Sequence, residues 1–177
     1  MNIAAQPPVQ ADQTIYLKDY QKPSFLVESI HLDIQVYDDH TLVDSTMVMK
    51  RQATGALVFL GRDLELKSIQ LNGQVLSAAQ YQLDSEQLVI TDAPDEVIVQ
   101  TQVIIHPESN TQLEGLYKAG DLFVTQNEPE GFRKITFYPD RPDVLSVFTT
   151  RVEADKKYPV LLANGNLLET GEVGEDR

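Results

Sequence analysis

From Phe25 onward the chain alternates apolar and polar residues with a period of two, and no stretch of about 12 residues or more carries a helical period. Ile30, Leu32, Ile34 and Val36 interleave with His31, Asp33, Gln35 and Tyr37, the pattern of a strand with one face on a core. Asp38-Asp39-His40 makes a turn, and Leu42 to Met49 supplies the return strand. Ala56 to Leu60 is continuously apolar, which predicts a strand covered on both faces. Leu64 to Leu71 alternates again and runs into Asn72-Gly73, whose residues both tolerate the positive φ of a type I′ hairpin turn. Val75-Leu76, Leu83, Leu88 to Ile90 and Val97 to Ile105 continue the series, while Ser77 to Tyr81 allows one short helical turn. This spacing of short strands predicts an all-β fold, a sandwich or a barrel.

After Pro107 the strand signals shorten, and Tyr117, Phe123, Phe132, Phe137 and Tyr138 fall among glycines, prolines and acids. Loops of such length in a compact domain usually carry function or form an interface. Val144 to Val152 and Val160 to Leu162 resume strand character, and Asn164-Gly165 marks a second turn. Leu167 to Glu172 reads as a further strand and Gly174-Glu175-Asp176 as the start of a hairpin turn. No partner strand follows before Arg177, so the expectation is a domain incomplete at its C-terminus, since a strand without a partner exposes unpaired backbone. Residues 1–16, with Pro7 and Pro8, offer little to bury and read as a flexible leader ahead of one β domain over 17–177.

Charge narrows the function. Lys and Arg number 14 against 27 Asp and Glu, a formal net charge of −13. That balance repels phosphate backbones and anionic lipid, so nucleic acid is not an expected partner. The longest apolar runs are about four residues, far short of the roughly 20 a membrane helix needs, so membrane insertion is not expected either. Without cysteine there is no disulfide, thiolate zinc cluster or cysteine nucleophile. The N-terminus lacks the basic cluster and apolar core of a signal peptide, and a soluble cytoplasmic chain is expected.

His31, His40 and His106 are the only histidines, and none lies in an H-E-x-x-H or H-x-H arrangement, so no metal ligand is assigned here. Nor is there a G-x-S-x-G, a P-loop or a G-x-G-x-x-G, and the chain holds no complete catalytic constellation. One segment carries a chemical signal: Thr125-Gln126-Asn127-Glu128-Pro129-Glu130-Gly131-Phe132-Arg133. In extended backbone Gln126 and Glu128 project to one side, roughly 6.5 Å apart, and Pro129 biases Glu128 away from helix. A carboxylate and a carboxamide presented together suit a peptide's α-ammonium, which has three donors. The same residues also fit a solvated acidic loop. Arg133, Asp140, Arg141 and Asp143 read as an ion-pair network holding the Pro139–Pro142 loop, and Phe137 and Tyr138 as packing residues.

This segment, with its continuation Thr136-Phe137-Tyr138-Pro139-Asp140-Arg141-Pro142-Asp143-Val144, resembles the N-terminal domain of the bacterial aminopeptidase N family of zinc metallo-aminopeptidases. Asn110 to Tyr117, Phe148-Thr149-Thr150, Tyr158 to Asn166, Asp19-Tyr20 and Leu71-Asn72-Gly73 agree with it in order, so the resemblance covers nearly all of the chain after the leader. It implies a saddle-like β-sandwich domain that packs on a thermolysin-like catalytic domain and contributes to its substrate cleft. It further implies that Glu128 helps bind the substrate's free amino terminus and Gln126 the first side-chain pocket. The family's G-A-M-E-N loop, H-E-x-x-H helix, downstream glutamate ligand and catalytic tyrosine have no counterpart here. Zinc is thus expected only in the full-length enzyme, and this piece is expected to be inactive alone, with peptides bearing a free N-terminus and the absent catalytic domain as its partners. Tyr117 is compatible with facing either the cleft or that domain. The alternative is a stand-alone β-sandwich module that binds peptide N-termini without catalysis.

Overall fold

The computed structural model describes residues 16–177, so the reading of residues 1–15 as a leader lies outside the described residues. Eleven strands form: β1 Phe25–Val36, β2 Thr41–Arg51, β3 Leu57–Leu60, β4 Glu65–Leu71, β5 Gln74–Val75, β6 Gln82–Leu83, β7 Gln87–Ile90, β8 Glu96–Ile105, β9 Gly115–Ala119, β10 Leu122–Gln126 and β11 Val147–Glu153. The helical residues among those described are two single 3₁₀ turns, Leu17–Asp19 and Phe132–Lys134. The expected helical turn at Ser77 is a hydrogen-bonded reverse turn, closed by the Gln80 amide on the Ser77 carbonyl at 2.9 Å.

A six-stranded sheet in the order β11-β1-β2-β8-β4-β5 forms the main layer, beside a three-stranded sheet β3-β7-β6 and the β9–β10 ribbon. The inner face of the large sheet carries Val27, Ile30, Val43, Met47, Val99 and Val103, and the smaller sheet turns Leu57, Phe59, Leu88 and Ile90 into the same core. Burying apolar area at about 25 cal/mol per Å² is what holds the two layers together. Phe25 and Val27 sit on odd positions whereas Ile30 and Leu32 sit on even ones, yet all four are buried. A bulge at Glu28 reconciles them, because Val27 pairs with Met49 and Ser29 with Val48, which leaves one residue extra.

Three expectations need correction. Ala56 to Leu60 is not covered on both faces: Leu57 and Phe59 are buried, but Val58 is 39% exposed on a sheet with one solvated face. Val160–Leu162 and Leu167–Glu172 form no strands; no described strand lies beside them to complete a ladder, and Leu162, Leu167 and Leu168 are each more than three-quarters exposed. The tail is instead held by polar contacts. Lys156 Nζ donates to Glu172 at 3.0 Å and to the Glu175 carbonyl at 2.8 Å. Arg177 donates to the Val36 carbonyl at 2.6 Å and lies over the Tyr37 ring.

Candidate functional site

The β9–β10 ribbon projects Gln126 from its open end, where Gln126 is the register partner of Gly115. The chain then turns through Asn127, Glu128 and Pro129, with a cis Glu128–Pro129 peptide bond, and enters the 3₁₀ turn at Phe132. Gln126 and Glu128 are exposed while Asn127 between them is half-buried. The Asn127 Oδ1 is out of solvent without a hydrogen-bond partner among the described residues. Gln126 bends back, its Nε2 donating to the Glu128 carbonyl at 3.2 Å. Neither a hydrogen bond nor an ion pair engages the Glu128 carboxylate among the described residues.

Close packing forms the base of this turn. A Cβ at Gly131 would lie 2.7 Å from the Gln126 carbonyl oxygen and 3.0 Å from the Asn127 Cα, and one at Gly115 would lie 2.6 Å from the Lys134 Cβ. Only glycine lets the ribbon and the 3₁₀ turn approach this closely. The far side of the turn is stitched to the core by paired backbone hydrogen bonds between Leu60 and Tyr138, 2.8 and 3.1 Å, and by Arg62 N to the Arg133 carbonyl. Phe132, Tyr138 and Phe148 pack edge-to-face or tilted, with centroids 5.0 to 6.1 Å apart. Phe137 and Tyr138 are buried, so both pack, as their sequence context predicts. Burial pushes the Tyr138 hydroxyl pKa up, against the opposing effect of its bond to Ser146.

The charged residues resolve into two separate clamps instead of one network. Arg133 Nε donates to Asp140 Oδ2 at 2.8 Å and its Nη2 to Glu130 at 2.8 Å. Arg141 makes a bidentate pair with Asp143 at 2.8 and 2.7 Å, and Tyr20 donates to Asp143 at 2.9 Å. The Arg141 hydrogen bonds hold the Asp143 carboxyl below the usual carboxylate range. Tyr117 is half-buried on β9 opposite Val124.

One polar group escaped the sequence reading. Lys134 is 5% exposed, and its Nζ donates to Asp63 at 2.8 Å and to Gln112. An Arg-Lys dipeptide in a loop reads as surface, and no local pattern distinguishes a lysine that a neighbouring loop covers. A cavity of about 340 Å³ beside it is lined by Asp63, His106, Gln112 and Lys134 but by neither Gln126 nor Glu128. Among the described residues no three His, Asp or Glu side chains are grouped to hold a metal ion, so these residues do not fit a zinc site. His31 lies exposed on β1, whereas His40 and His106 both contact Asp39, at 2.7 and 3.1 Å. No described helix is long and apolar enough to cross a membrane.

Comparison with known proteins agrees with this architecture. Residues 18–177 match the family model of the Peptidase M1 N-terminal domain. The chain is 43% identical over 169 residues to aminopeptidase N of Caulobacter vibrioides, covering 93% of this chain and 19% of that protein. It is 40% identical over 171 residues to aminopeptidase N of Escherichia coli, covering 95% of this chain and again 19% of the relative. The chain thus spans about a fifth of the length of the curated relatives it matches. Among solved structures, aminopeptidase A of Legionella pneumophila in complex with aspartic acid superimposes with a TM-score of 0.83 at 28% identity, over 89% of this chain and 19% of that one. A variant M1 zinc metallopeptidase of Deinococcus radiodurans bound to a Tyr-Ser-Ala substrate gives a TM-score of 0.63 at 19% identity, over 75% of this chain and 33% of that one, a likeness of fold.

Proposed function

Because this chain belongs to the Peptidase M1 N-terminal domain family, we propose that it is the domain of a zinc aminopeptidase that supplies one wall of the substrate cleft, with Glu128 receiving the substrate's free α-ammonium. The observation that carries this reading is the Glu128 carboxylate itself. It stands exposed, with no partner among the described residues, at the tip of a turn whose neighbouring carboxylates Glu130, Asp140 and Asp143 are all engaged by arginine. An ammonium of pKa about 8 offers the three donors such a carboxylate can pair with. Pairing of this kind rewards only chain ends, since an internal peptide would leave the carboxylate desolvated and unsatisfied. Gln126 spends its Nε2 on the Glu128 carbonyl, which leaves the rest of the carboxamide to wall the first side-chain pocket.

The cleft needs a second wall. In the whole enzyme the catalytic domain provides it, together with zinc, which supplies the Lewis-acid chemistry on residues outside this chain. That domain covers exposed apolar residues such as Leu145, Leu162 and Leu168, and the enzyme works on peptides with a free N-terminus in the cytoplasm.

The test is Glu128→Ala in the whole enzyme. It is expected to lower kcat/KM on an aminoacyl substrate by about tenfold or more, the usual consequence of losing a charge-assisted pair. Wild-type kcat/KM in this variant removes Glu128 from the site.

A further inference from the structure

Among the described residues no group bonds the Glu128 carboxylate, so its placement follows from the turn that carries it. The turn that carries it begins and ends in one place: Gly131 packs on the Gln126 carbonyl and the Asn127 Cα, closing the segment on itself. A single oxygen gathers three bonds at that closure. Asp140 Oδ2 accepts the Gly131 amide at 3.3 Å, the Arg133 amide at 3.2 Å and Arg133 Nε at 2.8 Å. Arg133 reciprocates, its Nη2 donating to the Asp140 carbonyl at 3.1 Å and to Glu130 at 2.8 Å. Both side chains of the Arg133–Asp140 pair are only 14% exposed, so water competes weakly for these bonds. The backbone of Asp140 is tied to the core, because its amide donates to the Tyr138 carbonyl at 2.8 Å and Tyr138 bridges to Leu60 on β3.

We infer that Asp140 is a positioning residue for substrate binding: through the Gly131 and Arg133 amides it sets the turn that presents Glu128 to the amino terminus. The inference rests on the proposed reading of Glu128. Asp140 touches no substrate. It ties the backbone of the turn to the core, and a site whose backbone is pre-organised loses less on binding.

The experiment is a double-mutant cycle in the whole enzyme on an aminoacyl-4-nitroanilide. Asp140→Ala is expected to raise KM about tenfold with kcat little changed, the signature of lost uniform binding. Asp140→Asn retains an oxygen for the two backbone amides and is expected to recover most of that loss. In a Glu128→Ala background, Asp140→Ala is expected to add nothing further, because the group it positions is gone. A KM that stays at the wild-type value, or a Asp140→Ala effect that multiplies with that of Glu128→Ala, overturns the inference while leaving Glu128 in its role. Full activity of Glu128→Ala alone instead rejects the reading beneath it. Should Asp140→Ala fail to fold, Asp140→Asn carries the same cycle, with a smaller rise in KM that again vanishes beside Glu128→Ala.

Discussion

Single atoms decide much of what this domain tolerates. Gly131→Ala forces a methyl within 2.7 Å of a carbonyl oxygen at the base of the candidate turn. Overpacking of this kind costs about 1–3 kcal/mol, and chemical denaturation is expected to show it as a lower midpoint with an unchanged slope. The opposite sign is expected at Thr41, which is fully buried with no partner for its hydroxyl oxygen among the described residues. Thr41→Val replaces that oxygen by a methyl of similar size and should leave the domain as stable or up to about 1 kcal/mol more so. The prediction fails if the same titration shows a loss. The Gln126–Glu128 pair could be singled out in sequence because its signal is local: two polar groups two residues apart beside a proline. The Arg133–Asp140 clamp was legible in part, as charges without an assignment of partners. Lys134 and Thr41 were not, since their burial depends on segments distant in the chain.

At the level of elements, the period of two located most strands, and the Asn72-Gly73 hairpin formed as its chemistry requires. Asn72 has φ 51° and Gly73 φ 78°. Asn72 does more than turn the chain, because its Oδ1 accepts the Ile98 amide on β8 at 2.8 Å and its own amide donates to the Ile98 carbonyl. Asn72→Ala therefore loses both tolerance of positive φ and a cross-strand bond, and is expected to cost about 1–2 kcal/mol. A thermal scan should register this as a Tm lower by roughly 2–8 °C at this chain length. The period of two misled where an apolar pattern had no described neighbour to pair with, as at Val160–Leu162 and Leu167–Glu172. Alternation reports that a segment suits a sheet; it carries no record of whether a partner is beside it. The bulge at Glu28 was hidden for a related reason, since register belongs to two strands and sequence is read along one.

Across the molecule, charge sets a pH window. The hydrogen bond that the His106 ring donates to the Glu65 carboxylate, then that to the Asp39 carbonyl, raises the His106 pKa above its ordinary value. A group raised on folding stabilises fully below its unfolded pKa of about 6.5, and the contribution disappears as pH climbs through the folded value. His106→Gln is thus expected to lower the urea midpoint below about pH 6 and to match wild type in alkaline buffer; equal curves throughout would show that the ring does not couple to folding. Asp39, Glu65 and Asp143 are lowered by their His40, His106 and Arg141 partners respectively, so their contributions run the other way and are lost as acid protonates them. In keeping with the proposed function, residues 1–177 alone should release no product from an aminoacyl-4-nitroanilide, and any metal-dependent turnover by them would contradict it.

The parallel pairing of β11 with β1 has a consequence in time. Asp33 and Arg151 meet across this edge although 118 positions separate them in the chain. A ribosome has therefore made the other ten described strands before β11 exists to dock, and closing so long a segment is entropically slow. The antiparallel β1–β2 hairpin can form early, whereas the edge on which Leu145 to Phe148 enter must assemble last. During that interval the outer rim of β1 lacks its ladder partner, and a nascent chain stalled there is the species most open to a chaperone, a protease or a second copy of itself.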